Sequence, residues 1–215
     1  MKTTHFVIQI CILLFAFSAK GFYHEAQTPE QVVDGVKISV DPRIELLSVI
    51  QLLSEPYSKS PLITRFNHQY KADMQAFFKP HKNHQLIAKF DALVTKGFTF
   101  GRPVNAILLL DAEYRVDPNL KFSSAILTDK YTQREAMAFL AGVEEFARDV
   151  NFNMFFHKHS PMYLELVATT ADQIRGLGQI RQLEAFYGQK KLSYNVVLAP
   201  NFHDGGFGPS VFSRE

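Results

Sequence analysis

Residues 36–54 read VKISVDPRIELLSVIQLLS, and within this stretch the hydrophobic period changes from that of a strand to that of a helix. Val36, Ile38 and Val40 alternate with Lys37 and Ser39, as a half-buried strand face requires. Asp41-Pro42 then supplies a helix start. The Asp side chain accepts a free backbone N–H, and Pro takes the first helical position, where no N–H partner is needed. The predicted helix runs from Arg43 to about Ser54, and Pro56 stops it. Its apolar residues cover much of the circumference, so the helix is expected to be central. The fold class follows as α+β, mainly helical with a few short β-strands.

Downstream, helical spacing dominates. Asn67 to Phe78 places Tyr70, Met74, Phe77 and Phe78 on one side. Asn83 is the expected cap of a helix carrying Leu86, Ile87, Phe90, Leu93 and Val94, with Gly97 just past its end. Asn105 to Leu110 is apolar and too short to assign by period. Thr132-Gln133-Arg134-Glu135 is a capping box, and it predicts one amphipathic helix continuing to Val150. Ser160-Pro161 starts a helix carrying Tyr163, Leu166, Val167 and Ile174, and Gln179 to Tyr187 forms another that ends at Gly188. Ser193 to Leu198 reads as a strand, Asp204-Gly205-Gly206 as a turn, and Val211-Phe212 as the opening of a second strand. A hairpin whose second strand has barely begun predicts a single domain over residues 36–215 that is incomplete at its C-terminus.

Upstream, Lys2 precedes an apolar run from Phe6 to Phe17, followed by the small residues Ser18, Ala19 and Gly21. The run is shorter than the roughly 20 residues of a membrane span and has the flanks of a cleaved secretory signal. Residues 1–21 are therefore expected to be a signal peptide and residues 22–35 a polar lead-in, with export to the periplasm, the cell surface or the medium. The only cysteine, Cys11, leaves with the signal, so the mature chain forms no disulfide. Losing Lys2 and Lys20 reduces 23 basic residues to 21 against 21 acidic ones. That balance argues against a nucleic-acid partner. No later apolar stretch is long enough to span a bilayer.

The chemistry-bearing residues form no complete catalytic set. His24-Glu25 begins a zincin pattern, but Thr28 stands where the second His must be. His81 and His84 lack an acidic ligand in the same turn, and His157 and His159 suit a helix C-terminus. Gly176-Leu177-Gly178 follows a helix rather than a strand, which removes the dinucleotide reading. No catalytic, metal or cofactor-binding residue is assigned. Asp41, Pro42, Arg43 and Glu45 form the most suggestive cluster, with a structural role at the head of the central helix.

Three stretches in order carry a resemblance: Val40 to Ser48, Arg134 to Phe156 with Glu145-Phe146-Ala147, and Phe186-Tyr187-Gly188 followed by Asn195 to Pro200. Together, over roughly residues 36 to 210, they resemble a bacterial family of exported proteins, a domain of unknown function regarded as zinc metallopeptidases. In that family a His-Glu-x-x-His helix lies downstream of this region. The resemblance implies the N-terminal portion of a secreted metallopeptidase-like protein, like the region before the active-site helix of a zincin-like fold. It implies zinc only in full-length relatives, no cofactor in this chain, and a peptide or protein substrate. It also implies that the strand bearing Tyr194, Val196 and Leu198 pairs with extended substrate. Two alternatives stand beside it. One is a complete non-catalytic envelope module that binds peptide or glycan with some of its aromatic residues. The other is a metal-independent hydrolase using dispersed carboxylates.

Overall fold

A computed structural model describes residues 28–59, 67–202 and 206–209. The signal segment, residues 22–27 of the lead-in, Asp204-Gly205 and Val211-Phe212 lie outside the described residues.

Two strands, β1 (Glu30–Val33) and β2 (Val36–Ser39), form an antiparallel hairpin. β1 lies within the stretch read as a polar lead-in, and it corrects that reading for residues 30–33. Only Val32 and Val33 signalled it; the strand exists because the turn returns the chain onto β2. Asp34 and Gly35 occupy that turn with φ of 48° and 81°, which matches the twist of a two-residue hairpin. A Cβ at Gly35 would meet nothing within 4 Å, so only the backbone conformation disfavours a side chain there. Gly35→Ala is therefore expected to cost about 1 kcal/mol, read as a lower urea midpoint with unchanged m-value.

Helix α1 (Pro42–Leu53) follows, with Asp41 as its cap, and α2 (Glu55–Ser58) adds a turn after Ser54. Pro56 thus sits in the first turn of α2 and ends α1 only indirectly. α3 (Gln69–Phe78) runs into a 3₁₀ turn at Lys79–His81, and α4 (Gln85–Val94) starts from His84 rather than from the expected Asn83. The unassigned apolar segment belongs largely to α5 (Gly101–Ile107).

The single helix expected after Thr132 is two, α6 (Gln133–Leu140) and α7 (Val143–Asp149), broken at Ala141-Gly142. The capping box itself is formed. At the break, a Cβ on Gly142 would lie 2.9 Å from Leu86 Cδ1, so the absent side chain lets α4 pack closely. α8 (Phe152–Lys158), α9 (Ser160–Ile174) and α10 (Gln179–Tyr187) complete the helices, and α10 ends at Gly188 in the left-handed conformation.

Strand β3 (Tyr194–Val197) pairs in parallel with β2, giving the order β1-β2-β3. It therefore joins the N-terminal hairpin across the whole helical region. Helix α9 packs on β1 and β2. The helices enclose a Phe-rich core in which Phe78, Phe90, Phe98, Phe139, Phe146, Phe152 and Phe155 are almost wholly buried. The architecture is α+β and mainly helical. No helix among the described residues is long and apolar enough to cross a membrane.

Candidate functional site

The first turn of α1 concentrates the residues singled out in the sequence. Asp41 Oδ1 accepts the Arg43 backbone N–H at 2.8 Å, and its carboxylate takes the Arg43 guanidinium through Nε (3.0 Å) and Nη2 (2.6 Å). Arg43 Nη1 donates to the carbonyls of Leu108 and Leu110 at 3.0 and 2.9 Å. Those carbonyls follow the end of α5, where a cation satisfies otherwise unpaired acceptors. Asp41, Pro42 and Arg43 thus join the start of α1 to the end of α5.

Glu45, one helical turn on, is fully buried. Its Oε2 accepts a hydrogen bond from the Tyr70 hydroxyl of α3. That hydroxyl lies 2.6 Å from the Tyr163 hydroxyl of α9. Tyr70 has one proton and gives it to Glu45, so Tyr163 donates to Tyr70. The other carboxylate oxygen, Oε1, has no hydrogen-bond partner among the described residues. Burial pushes the Glu45 carboxyl up to about 7, partly opposed by the bond from Tyr70. Burial also raises both tyrosines, and the neighbouring Glu45 adds to the effect. The carboxyl can hold a proton near neutrality, but with no exposure to solute its action falls on the packing of α1, α3 and α9. Sequence spacing could not show this network, because its members are 25 and 93 residues apart. The only local sign was an acidic residue inside an apolar helix.

The histidines with suggestive spacing serve helix ends instead. His84 Nδ1 accepts from Leu86 N at 3.1 Å, capping α4. His159, at the end of α8, has Nδ1 2.9 Å from the Phe155 carbonyl and packs edge-on against Tyr70. His81 sits in the 3₁₀ turn, and His157 lies on α8. His24 and Glu25 lie outside the described residues. Among the described residues no group of three or more His, Cys, Asp or Glu could hold a metal.

His68 also caps a helix, accepting from Lys71 N at 3.2 Å through Nδ1, while its ring donates to the Pro200 backbone. Burial and the nearby Lys71 hold its pKa below the usual histidine range. Its protonation is thus disfavoured in the native state. The stabilisation is present above the unfolded pKa near 6.5 and is lost as pH falls through the lower folded value. His68→Asn retains a capping acceptor and does not titrate. Its urea midpoint is expected to fall less between pH 7 and pH 5 than that of the wild type.

At the opposite side of the sheet lies β3, whose outer edge has no strand partner among the described residues. The bond from Leu198 N to Ser39 O (2.7 Å) fixes the phase of the parallel ladder. By alternation, Tyr194, Val196 and Leu198 direct their backbone groups to β2, and Asn195 and Val197 direct theirs outward. The outward pairing groups are therefore displaced by one residue from Tyr194, Val196 and Leu198, the residues expected from sequence. Pairing direction depends on a partner 158 residues away (194 less 36), which local spacing does not encode.

A three-stranded mixed sheet whose β3 edge has no strand partner among the described residues, packed on a Phe-rich set of helices around a buried carboxyl, defines a small α+β domain. The chain belongs to the family described as a domain of unknown function (DUF4932), whose model matches residues 36–215. Comparison with curated proteins and with solved structures gives no match.

Proposed function

We propose that this chain is the N-terminal scaffold of a secreted, bacterial zinc-metallopeptidase-like protein, and that the outer edge of β3 pairs with an extended peptide. The metal ligands then come from sequence beyond this chain. The observation that carries the reading is the β3 edge, which has no strand partner among the described residues and where Asn195 and Val197 offer N–H and C=O groups to an added strand. The charged edge at β1 suits that role less. There Glu30 pairs with Lys37, and α9 packs alongside.

The test uses a full-length relative that carries a His-Glu-x-x-His helix. Val197→Pro removes an outward N–H and leaves the ladder to β2 in place, whereas Val196→Pro removes an inward ladder bond. The Val197 variant is expected to lose at least about tenfold in peptide cleavage, the worth of one interfacial hydrogen bond of roughly 1.4 kcal/mol. Zinc content and melting temperature should be unchanged. Cleavage equal to wild type would reject the reading. Peptide binding by this chain, with no hydrolysis from any longer relative, would favour the non-catalytic envelope module.

A further inference from the structure

We propose that the groove between α10 and β3 is a side-chain subsite for an extended polypeptide, taking a large apolar residue with an acidic residue two positions along the chain. The proposal rests on the β3-edge reading and names what that edge selects.

The side chains of Tyr194, Val196 and Leu198 lie on the same sheet face as their register neighbours Val36 and Ile38, which are 5% and 0% exposed. This is the core face. Val196 nevertheless remains 41% exposed, so the core face is uncovered where the sheet ends. Helix α10 stands over this margin and buries none of its own residues. It is held there by Tyr194, whose hydroxyl donates to Glu184 Oε1 (3.2 Å) and accepts from Lys191 N (3.3 Å). Beneath it runs a groove of about 400 Å³ lined by Leu183, Tyr187, Gln189, Lys191 and Tyr194.

A strand added to β3 would lie about 4.8 Å beyond it and present every second side chain to this face. That side chain meets Leu183 (46% exposed) and Tyr187 (68% exposed), both of which present apolar surface among the described residues. An aliphatic or aromatic residue fits the lining. The residue two positions on points to the same face and meets a basic rim. Lys190 and Lys191 follow α10, and Lys191 Nζ bonds the neutral Gln189 Oε1 at 3.1 Å. The nearby Glu184 is engaged by Tyr194. A carboxylate is therefore favoured two positions from the apolar residue and an ammonium group disfavoured. An extended chain is the occupant that uses both the groove and the outward backbone groups of Asn195 and Val197.

The experiment measures binding of fluorescein-labelled hexapeptides to this chain by anisotropy, with central Phe-Ala-Asp, Ser-Ala-Asp or Phe-Ala-Lys, abbreviated by their first and third residues as Phe-Asp, Ser-Asp and Phe-Lys. Phe-Asp is expected to bind at least tenfold more tightly than either other peptide. The double variant Leu183→Ser/Tyr187→Ser, on a helix with no buried residue, should reduce Phe-Asp binding to the Ser-Asp level. It should leave the circular dichroism spectrum and the Ser-Asp affinity unchanged. Val197→Pro should weaken all three peptides alike. Binding that ignores the central pair and the double variant, yet is lost in Val197→Pro, overturns the subsite and leaves the edge reading intact. Absence of binding by every peptide overturns both. A wild-type dimer in sedimentation that the double variant dissociates makes the occupant a second copy, and also overturns the proposal.

Discussion

Replacing Glu45 by Gln is expected to make the protein more stable than wild type at pH 8 relative to its standing at pH 5. The difference between the two conditions should be roughly 2–3 kcal/mol. The sign follows from the raised carboxyl. Unfolded Glu releases its proton near 4.5, and buried Glu45 holds it to about 7. The native state therefore binds the extra proton between those values. The stabilisation is fully present below the unfolded pKa and is lost as pH rises through the folded one. Gln cannot ionise, so the slope disappears. Its amide nitrogen takes the place of Oε1, which has no partner among the described residues, and this costs stability at every pH and leaves the pH difference unaffected. Urea unfolding of both proteins at the two pH values measures it. Parallel wild-type and variant curves would show that Glu45 is ionised throughout. Tyr70→Phe supplies the complementary result. It removes the bond that lowers the Glu45 pKa, so the transition should move above pH 7. With His68 acting at the acid side, the two groups confine maximum stability to an interval between them.

Phe90→Ala is expected to cost about 3–5 kcal/mol. Phe90 is fully buried, with ring centroids 5.6 Å from Tyr57, 6.2 Å from Phe98 and 5.4 Å from Phe139. It therefore links α2, α4, the segment after α4, and α6. Truncation removes the burial of a large apolar side chain and leaves a cavity among rings that cannot close over it. Against a typical total of about 5–15 kcal/mol, the loss should lower the thermal midpoint by many degrees. Phe186→Ala is the control. That ring is 81% exposed, and its loss should stay within about 0.5 kcal/mol. Equal effects at the two positions would contradict the placement of the core.

The sequence was most legible where a structure is set by neighbours along the chain. Asp41-Pro42 caps α1, Thr132 and Glu135 form their reciprocal cap, and Gly188 ends α10, because each needs only a few consecutive residues. It was least legible where distant residues decide. Nothing near Gly142 shows that Leu86 will pack against it where α6 gives way to α7. β1 carries too few apolar residues to announce itself without β2. Glu45 was recognised as part of a charged cluster with Asp41 and Arg43, yet its partners Tyr70 and Tyr163 lie on other helices. The outward groups of β3 came out one residue from expectation, since a ladder's phase is set by the strand it joins.

The parallel joining of β3 to β2 also constrains synthesis. Val36 leaves the ribosome 158 residues before Tyr194 (194 less 36), so β2 presents a vacant flank while the helices between them are being made. Closing so long a loop carries an entropic cost that is recovered only once the intervening helices have drawn the two ends together. The last strand should therefore dock late. Its amides should exchange with deuterated solvent before those of α1, and an emerging chain halted short of Tyr194 is the form most prone to be captured by chaperones.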